Sequence, residues 1–218
     1  MKVNLISYSQ PPEGEDNTMT DLVAYCARVS NPSNQNNKET SEKLIKYLIA
    51  NQHWSPLEMV SVCLEITTTR DIARQMLRHR SFSFQEFSQR YADPTKDLDF
   101  VIREARLQDM KNRQNSITTE DLQLQAFWEQ QQKRVIEAAK EAYAWAIQNG
   151  IAKEQARAVL PEGNTVSRLY MSGTLRSWIH YIQLRSGHGT QKEHMDIANA
   201  CAEVIAKVFP MSAEFTQQ

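Results

Sequence analysis

The chain has 218 residues, of which 41% are apolar, with 25 Lys and Arg against 26 Asp and Glu. That length supports one sizeable core, read as a single domain over residues 1–218 with a helical piece attached. The near-neutral balance argues against general affinity for nucleic acid or anionic membranes, and no apolar run approaches the roughly 20 residues that span a bilayer.

The first residues, MKVNLISYSQ, lack the apolar stretch of a signal peptide, so the expected location is cytoplasmic. Cys26, Cys63 and Cys201 show no C-x-x-C spacing, which fits free thiols in a reducing compartment. Each lies in an apolar periodic context, where cysteine acts as a small core residue. The histidines at 53, 79, 180, 188 and 194 form no H-x-x-x-H pair, so no metal site is expected.

In chain order, Val3 and Leu5 mark a short first strand. Residues 17–30 read as a helix with Leu22, Val23, Cys26 and Val29 on one apolar face. A loop rich in turn formers starts at Asn31, and a second helix covers about 41–51. In His53-Trp54-Ser55-Pro56-Leu57-Glu58, Pro56 biases Ser55 away from helix, so His53 and Ser55 would be offered from extended backbone. Residues 59–67 then alternate Val60, Val62, Leu64 and Ile66 with Ser61, Cys63, Glu65 and Thr67, a period of two that predicts a strand.

Thr69 or Asp71 can cap a helix running to about His79, with Ile72, Ala73, Met76 and Leu77 inward. From its end the chain passes into loop or extended backbone anchored by Phe82, Phe84 and Phe87. Residues 92–117 are polar and poorly periodic, equally consistent with a lid, an inter-subunit loop or a connector. Thr118 or Thr119 is expected to cap the longest helix, about 120–149, with Gly150 closing it. A short helix over 152–160, a strand over 166–172, a helix to Arg185 and a last helix from about 190 to 209 complete the chain. The class is α+β: a small, mostly antiparallel sheet with long helices and no regular β-α repeat.

The densest chemistry lies in residues 74–91, RQMLRHRSFSFQEFSQRY. Arg presents a planar, permanently charged fork suited to phosphate and carboxylate oxygens. Taken alone, Arg78-His79-Arg80 also reads as cations closing a helix against its negative end. No G-x-G-x-x-G follows a strand and no G-x-x-x-x-G-K-[ST] exists, so a bound dinucleotide would be held by side chains and helix termini.

Arg78-His79-Arg80, seven residues and then Ser88, with Gln75, Glu86, Arg90 and Tyr91 around them, resembles the signature of the flavin-dependent thymidylate synthases. The segment 53–58 resembles that family's H-x-[ST]-P-x-E element, and Arg157 in ARAVLP its A-R-x-x-L-P element. The resemblance implies the fold of the thymidylate synthase-complementing proteins and a homotetramer with FAD in a channel beside dUMP. It further implies methylation of dUMP to dTMP with methylenetetrahydrofolate as carbon donor, reduced flavin as hydride source and NADPH as reductant. By the same resemblance His53, Ser55, Arg78, His79, Arg80, Glu86, Thr174, Leu175, Arg176 and His180 would serve the flavin. Gln75, Arg78, Glu86, Phe87, Ser88, Gln89, Arg90, Arg157 and Arg185 would serve dUMP, some from a neighbouring subunit, with Arg185 activating uracil. The chain departs from the pattern at Thr174, where many members carry Asn, and at His188, one residue off a common family histidine, while His180 is one of the two residues, Asn or His, found there.

Because guanidinium keeps its proton, Arg185 can act only by stabilising negative charge that develops on the ring, not as a general base. Ser88 has no evident base beside it and reads as a phosphate donor rather than a nucleophile. Two readings of other classes stand beside the enzyme: a nucleotide- or RNA-binding module without catalysis, and a helical scaffold whose arginines pair with acidic residues.

Overall fold

The alternation over 59–67 does produce a strand, set two residues later at Ser61–Thr69, and the computed structural model, which describes residues 1–12 and 17–216, makes it central to the fold. The main sheet contains β1 (Lys2–Tyr8), β2 (Ser61–Thr69), β3 (Ser83–Glu86) and β6 (Val166–Thr174) in the order β1-β2-β6-β3, antiparallel throughout. Val62, Leu64 and Ile66 on β2 and Leu169 and Met171 on β6 point into the core. Burying each such side chain contributes roughly 1.5–3 kcal/mol. On the opposite face Glu65 accepts hydrogen bonds from Asn4 on β1 and Tyr170 on β6.

Eight helices are seen among the described residues: α1 (Met19–Ala27), α2 (Ser41–Ala50), α3 (Arg70–Met76), α4 (Pro94–Asp97), α5 (Leu122–Gln148), α6 (Lys153–Ala156), α7 (Leu175–Arg185) and α8 (Lys192–Ile205). α3, α7 and α8 cover the buried face of the sheet through Ile72, Met76, Trp178, Ile179, Ile182, Ile197, Cys201 and Ile205. The Trp178 indole donates to the Val62 carbonyl at 3.0 Å, fixing α7 against β2. α5 packs at its C-terminal end, where Tyr143 and Ala146 meet Ala156 and Leu160 in a separate small cluster.

Several expectations are corrected. Residues 55–58 form one turn of 3-10 helix rather than extended backbone, because Pro56 sits in the first positions, where its missing N–H and fixed φ suit a helix start. α1 stops at Ala27, so Val29 leaves the apolar face and is 67% exposed. Cys201 is buried, whereas Cys26 and Cys63 are only partly so. Asp121, not Thr118 or Thr119, caps α5 by accepting from the Leu124 amide, since Ser116–Thr118 is a strand, β5, paired with β4 (Arg106–Gln108). The last helix ends at Ile205 and is followed by a 3-10 turn from Pro210.

The polar stretch over 92–117 therefore holds α4 and the β4–β5 pair, joined by a segment stitched to α5. Gln132 accepts from the Arg103 amide and donates to the Arg103 carbonyl, and Gln125 does the same for Ala105. Two glutamine side chains thus supply the pairing that a neighbouring strand would give.

Candidate active site

The chain leaves α3 through a tight turn in which the His79 amide bonds to the Met76 carbonyl and the Phe82 amide to the His79 carbonyl. Phe82 pins this turn into the core, edge-on to Trp178 at 4.8 Å between ring centroids. It lies so close to Gly173 on β6 that a Cβ there would collide with its ring. Pinned this way, the turn exposes Arg78 and Arg80 and directs His79 inward. Among the described residues the Arg78 and Arg80 side chains have no ion-pair or hydrogen-bond partner, although two uncompensated guanidinium groups so close in sequence repel one another.

His79 meets the C-terminal end of α7. Arg185 donates its Nε–H to Nε2 of His79 at 3.0 Å, so this nitrogen carries no proton and the imidazole is neutral. Burial, reinforced by the Arg185 charge, pushes the His79 pKa down to about 4. Tyr181 stands edge-on to His79 at 5.0 Å, and its hydroxyl lies 3.1 Å from Nε2 of the fully buried His194. Nδ1 of His194 lies 3.2 Å from Oε1 of Gln75, which in turn donates from Nε2 to Gln191 at 2.9 Å. Burial, with Arg185 and His79 nearby, pushes His194 down to about 3. Gln75, His79 and Arg185 are thus brought into one polar cluster against the apolar core.

Glu86, at the end of β3, accepts from the Ser167 hydroxyl at 2.7 Å and lies 3.6 Å from Arg70 and 3.3 Å from Arg74. Beyond it the chain turns at Ser88, whose hydroxyl faces the Arg90 amide at 3.4 Å. Arg90 pairs with the Glu154 carboxylate at 3.2 Å, and Arg157 donates to the Glu154 carbonyl at 3.3 Å, so Arg90 and Arg157 gather on the same residue of α6. Phe87 is half-buried, with its amide bonded to the Arg168 carbonyl. Gln89 is 4% exposed and its Nε2 has no partner among the described residues, a buried donor whose free state is costly.

A third group forms where the 55–58 turn meets the start of α7. Trp54 packs edge-on to His180 at 4.5 Å, and Arg176 pairs with Glu58. His53 is exposed beside Tyr47 at 6.0 Å, delivered by Gln52, whose left-handed φ of 58° turns the chain sharply after α2. Ser55 is exposed in the same turn. The Thr174 hydroxyl caps α7 by accepting from the Ser177 amide, and Leu175 is buried with its amide bonded to the Val60 carbonyl. Leu175 therefore offers neither a free amide nor an exposed side chain. A cleft of about 430 Å3 lies between the β4–β5 pair and the turn after α7, bordered by Arg106, Arg113, His188, Gln191 and Lys192. No group of three metal ligands occurs among the described residues.

Tyr181, His194, Gln191, Arg70 and Glu154 were not singled out in the sequence. For His194 a signal was present: it shares an i, i+3, i+4, i+7 face of α8 with Ile197, Ala198 and Cys201, and a histidine on such a face needs a buried partner.

Residues 6–211 match the family described as thymidylate synthase complementing protein. The chain is 49% identical over 214 residues to a probable flavin-dependent thymidylate synthase of Paramecium bursaria Chlorella virus 1, covering 98% of both. It is also 49% identical over 216 residues to the flavin-dependent thymidylate synthase of Synechocystis sp., again covering 98% of both. In structure it is similar to a UMP/dUMP methylase from Streptomyces cacaoi solved with 5-Br dUMP bound, with a TM-score of 0.79, 28% identity and coverage of 98% of this chain and 93% of that one. Fold and similarity together define an enzyme rather than a non-catalytic binding module or scaffold. The chain belongs to the flavin-dependent thymidylate synthase family.

Proposed function

We propose that the protein converts dUMP to dTMP, taking the carbon from methylenetetrahydrofolate and the hydride from FAD that NADPH re-reduces. The observation that carries this reading is the hydrogen bond between His79, inside the Arg78-His79-Arg80 signature, and Arg185, the family's uracil-activating position. Bound flavin supplies hydride chemistry that no side chain can provide. The residues fit such a group: Arg78 and Arg80 are exposed cations without partners among the described residues, suited to pyrophosphate, and His53, Ser55 and His180 with Trp54 add polar and aromatic surface. His79, Glu86, Thr174 and Arg176 complete the proposed flavin set, Thr174 and Arg176 through atoms not already used by the α7 cap and Glu58.

For dUMP, the unpartnered amide of Gln89, the Ser88 hydroxyl and the guanidinium groups of Arg90 and Arg157 offer donors to phosphate. Such binding would draw Arg90 away from Glu154. Gln75 and Arg185 would face the base, with Arg78, Glu86 and Phe87 alongside. Arg185 is already tethered through Nε to a neutral His79, so both Nη groups remain to meet charge that develops on the uracil.

The homotetramer is supported by α5, whose Leu122, Phe127, Trp128 and Trp145 are 82%, 54%, 44% and 61% exposed. Apolar surface of that kind marks a protein interface. A cytoplasmic location fits three free thiols and the absence of any helix long and apolar enough to cross a membrane among the described residues. The test is to purify the protein, read its flavin absorbance and assay dTMP formation from dUMP, methylenetetrahydrofolate, NADPH and FAD. A colourless protein that makes no dTMP after FAD is added overturns the reading.

A further inference from the structure

Arg106 grips Glu193 at the start of α8, with Nη2 at 2.7 Å from one carboxylate oxygen and 3.0 Å from the other. Burial alone would raise the Glu193 pKa, but hydrogen bonds from its own backbone and Gln191, together with Arg103 and Arg106, hold it below the usual range. It is therefore an ionised group that can only accept hydrogen bonds.

That restriction propagates. Gln191 lies 3.0 Å from Glu193 and must turn its NH2 toward the carboxylate, leaving its Oε1 to face Gln75. Gln75 must then present its own NH2 to Gln191, at 2.9 Å, and its Oε1 to His194. His194 can satisfy that oxygen only by carrying its proton on Nδ1, so its Nε2 must accept from the Tyr181 hydroxyl at 3.1 Å. Reversing any one amide or the imidazole tautomer would set two acceptors or two donors face to face inside the protein, where the unmade bond costs most.

We propose that His194, with Gln191 and the Glu193–Arg106 pair behind it, is a positioning residue that holds the Gln75 carboxamide in one orientation toward dUMP. The proposal rests on the assignment of Gln75 to dUMP made above. With one N–H given to Gln191 and one lone pair taken by His194, Gln75 keeps one N–H and one lone pair, and the carboxamide cannot exchange its nitrogen and oxygen ends. The same strut reaches the other arm of the site, because the Tyr181 ring held by His194 stands edge-on to His79, the acceptor of Arg185. The direction thus runs from an ion pair at the head of α8 to two groups facing substrate.

The experiment uses the flavin-loaded enzyme. Solid-state NMR with ring-15N histidine, the His194 signal identified by its loss in His194→Phe, should show the proton on Nδ1, and a proton on Nε2 overturns the proposal. In binding and kinetics, His194→Phe should weaken dUMP binding and raise its KM about tenfold, with flavin content and flavin reduction by NADPH unchanged. His194→Asn, which can still donate to Gln75, should recover most of that loss. Equal impairment of the two variants marks a purely structural role and overturns the proposal, as does dUMP binding unchanged in both. Should neither fold, Glu193→Gln decides: it places a possible donor where only an acceptor stood, so dUMP affinity should fall while flavin stays, and an unchanged affinity overturns the proposal. A parent enzyme that binds flavin but no dUMP overturns the assignment of Gln75 itself, an outcome distinct from all of these.

Discussion

Arg185 and His79 are joined by a single hydrogen bond of 3.0 Å from Nε to Nε2, linking the last residue of α7 to the turn after α3. The bond consumes the guanidinium N–H nearest the aliphatic stem and leaves the distal fork unspent. It also requires a neutral imidazole, which burial beside a cation enforces.

Arg185→Ala should lower dTMP formation by about 10²–10³, the usual effect of losing one preorganised donor to a developing anion, with flavin retained. Arg185→Lys keeps a charge but cannot donate to His79 and a substrate through one planar group, so it should stay strongly impaired. Measured turnover near the parent value in Arg185→Lys would show that charge alone suffices.

Arg78→Ala and Arg80→Ala should each release FAD while leaving the far-ultraviolet circular dichroism unchanged, because neither side chain has a partner among the described residues. Retention in the parent should weaken as salt rises. The readout is flavin absorbance per chain after gel filtration.

Gly173→Ala should be destabilising although alanine suits a strand better than glycine, because the new methyl meets the Phe82 ring. Overpacking costs about 1–3 kcal/mol, which in a chain of this size lowers Tm by roughly 2–12 °C. Phe82→Leu in the same chain should restore part of the loss, as a melting curve would show.

His79 and His194 titrate near 4 and 3 when folded but near 6.5 when unfolded. The unfolded chain therefore binds more protons below 6.5, and stability is full above that pH and falls as pH drops toward the folded values. Each histidine adds a slope of about 1.4 kcal/mol per pH unit within that window. Denaturant unfolding of the flavin-free protein between pH 7.5 and 5 should show this slope, reduced by about one proton in His194→Phe. Equal slopes in the two proteins would mean that His194 is not buried neutral.

Much of the fold was legible because the signals were local. The period of two over 59–67 and the left-handed Gly150 after α5 each act within a few residues. The 53–58 segment reads as extended because Pro56 biases Ser55 away from helix, but that bias is outweighed by the helical start proline favours around itself, and Ser55 joins the 3-10 turn. Gln75 and His79 stand out within the signature stretch, and Arg185 through the position that the family resemblance gives it. Their support does not, because His194 meets Gln75 across 119 positions and Tyr181 reads as one more apolar face residue. The apolar face of α8 around His194 signals that the histidine is buried, but not which distant residue satisfies it.

The strand order β1-β2-β6-β3 has a kinetic consequence. The antiparallel partner of β2 on this side is not the next strand in the chain but β6, with α5 and everything else between residues 70 and 165 intervening. β3, although close to β2 in sequence, pairs among the described residues only with β6, from Ser83 opposite Ser172 to Glu86 opposite Leu169. The arginine-rich turn therefore has no scaffold until the distant strand arrives and closes that long loop, a step of high entropic cost that slows folding. On the ribosome, a chain halted before β6 emerges should leave residues 78–90 accessible to protease. In refolding experiments, flavin capture should follow the formation of helical signal as a late and separate phase.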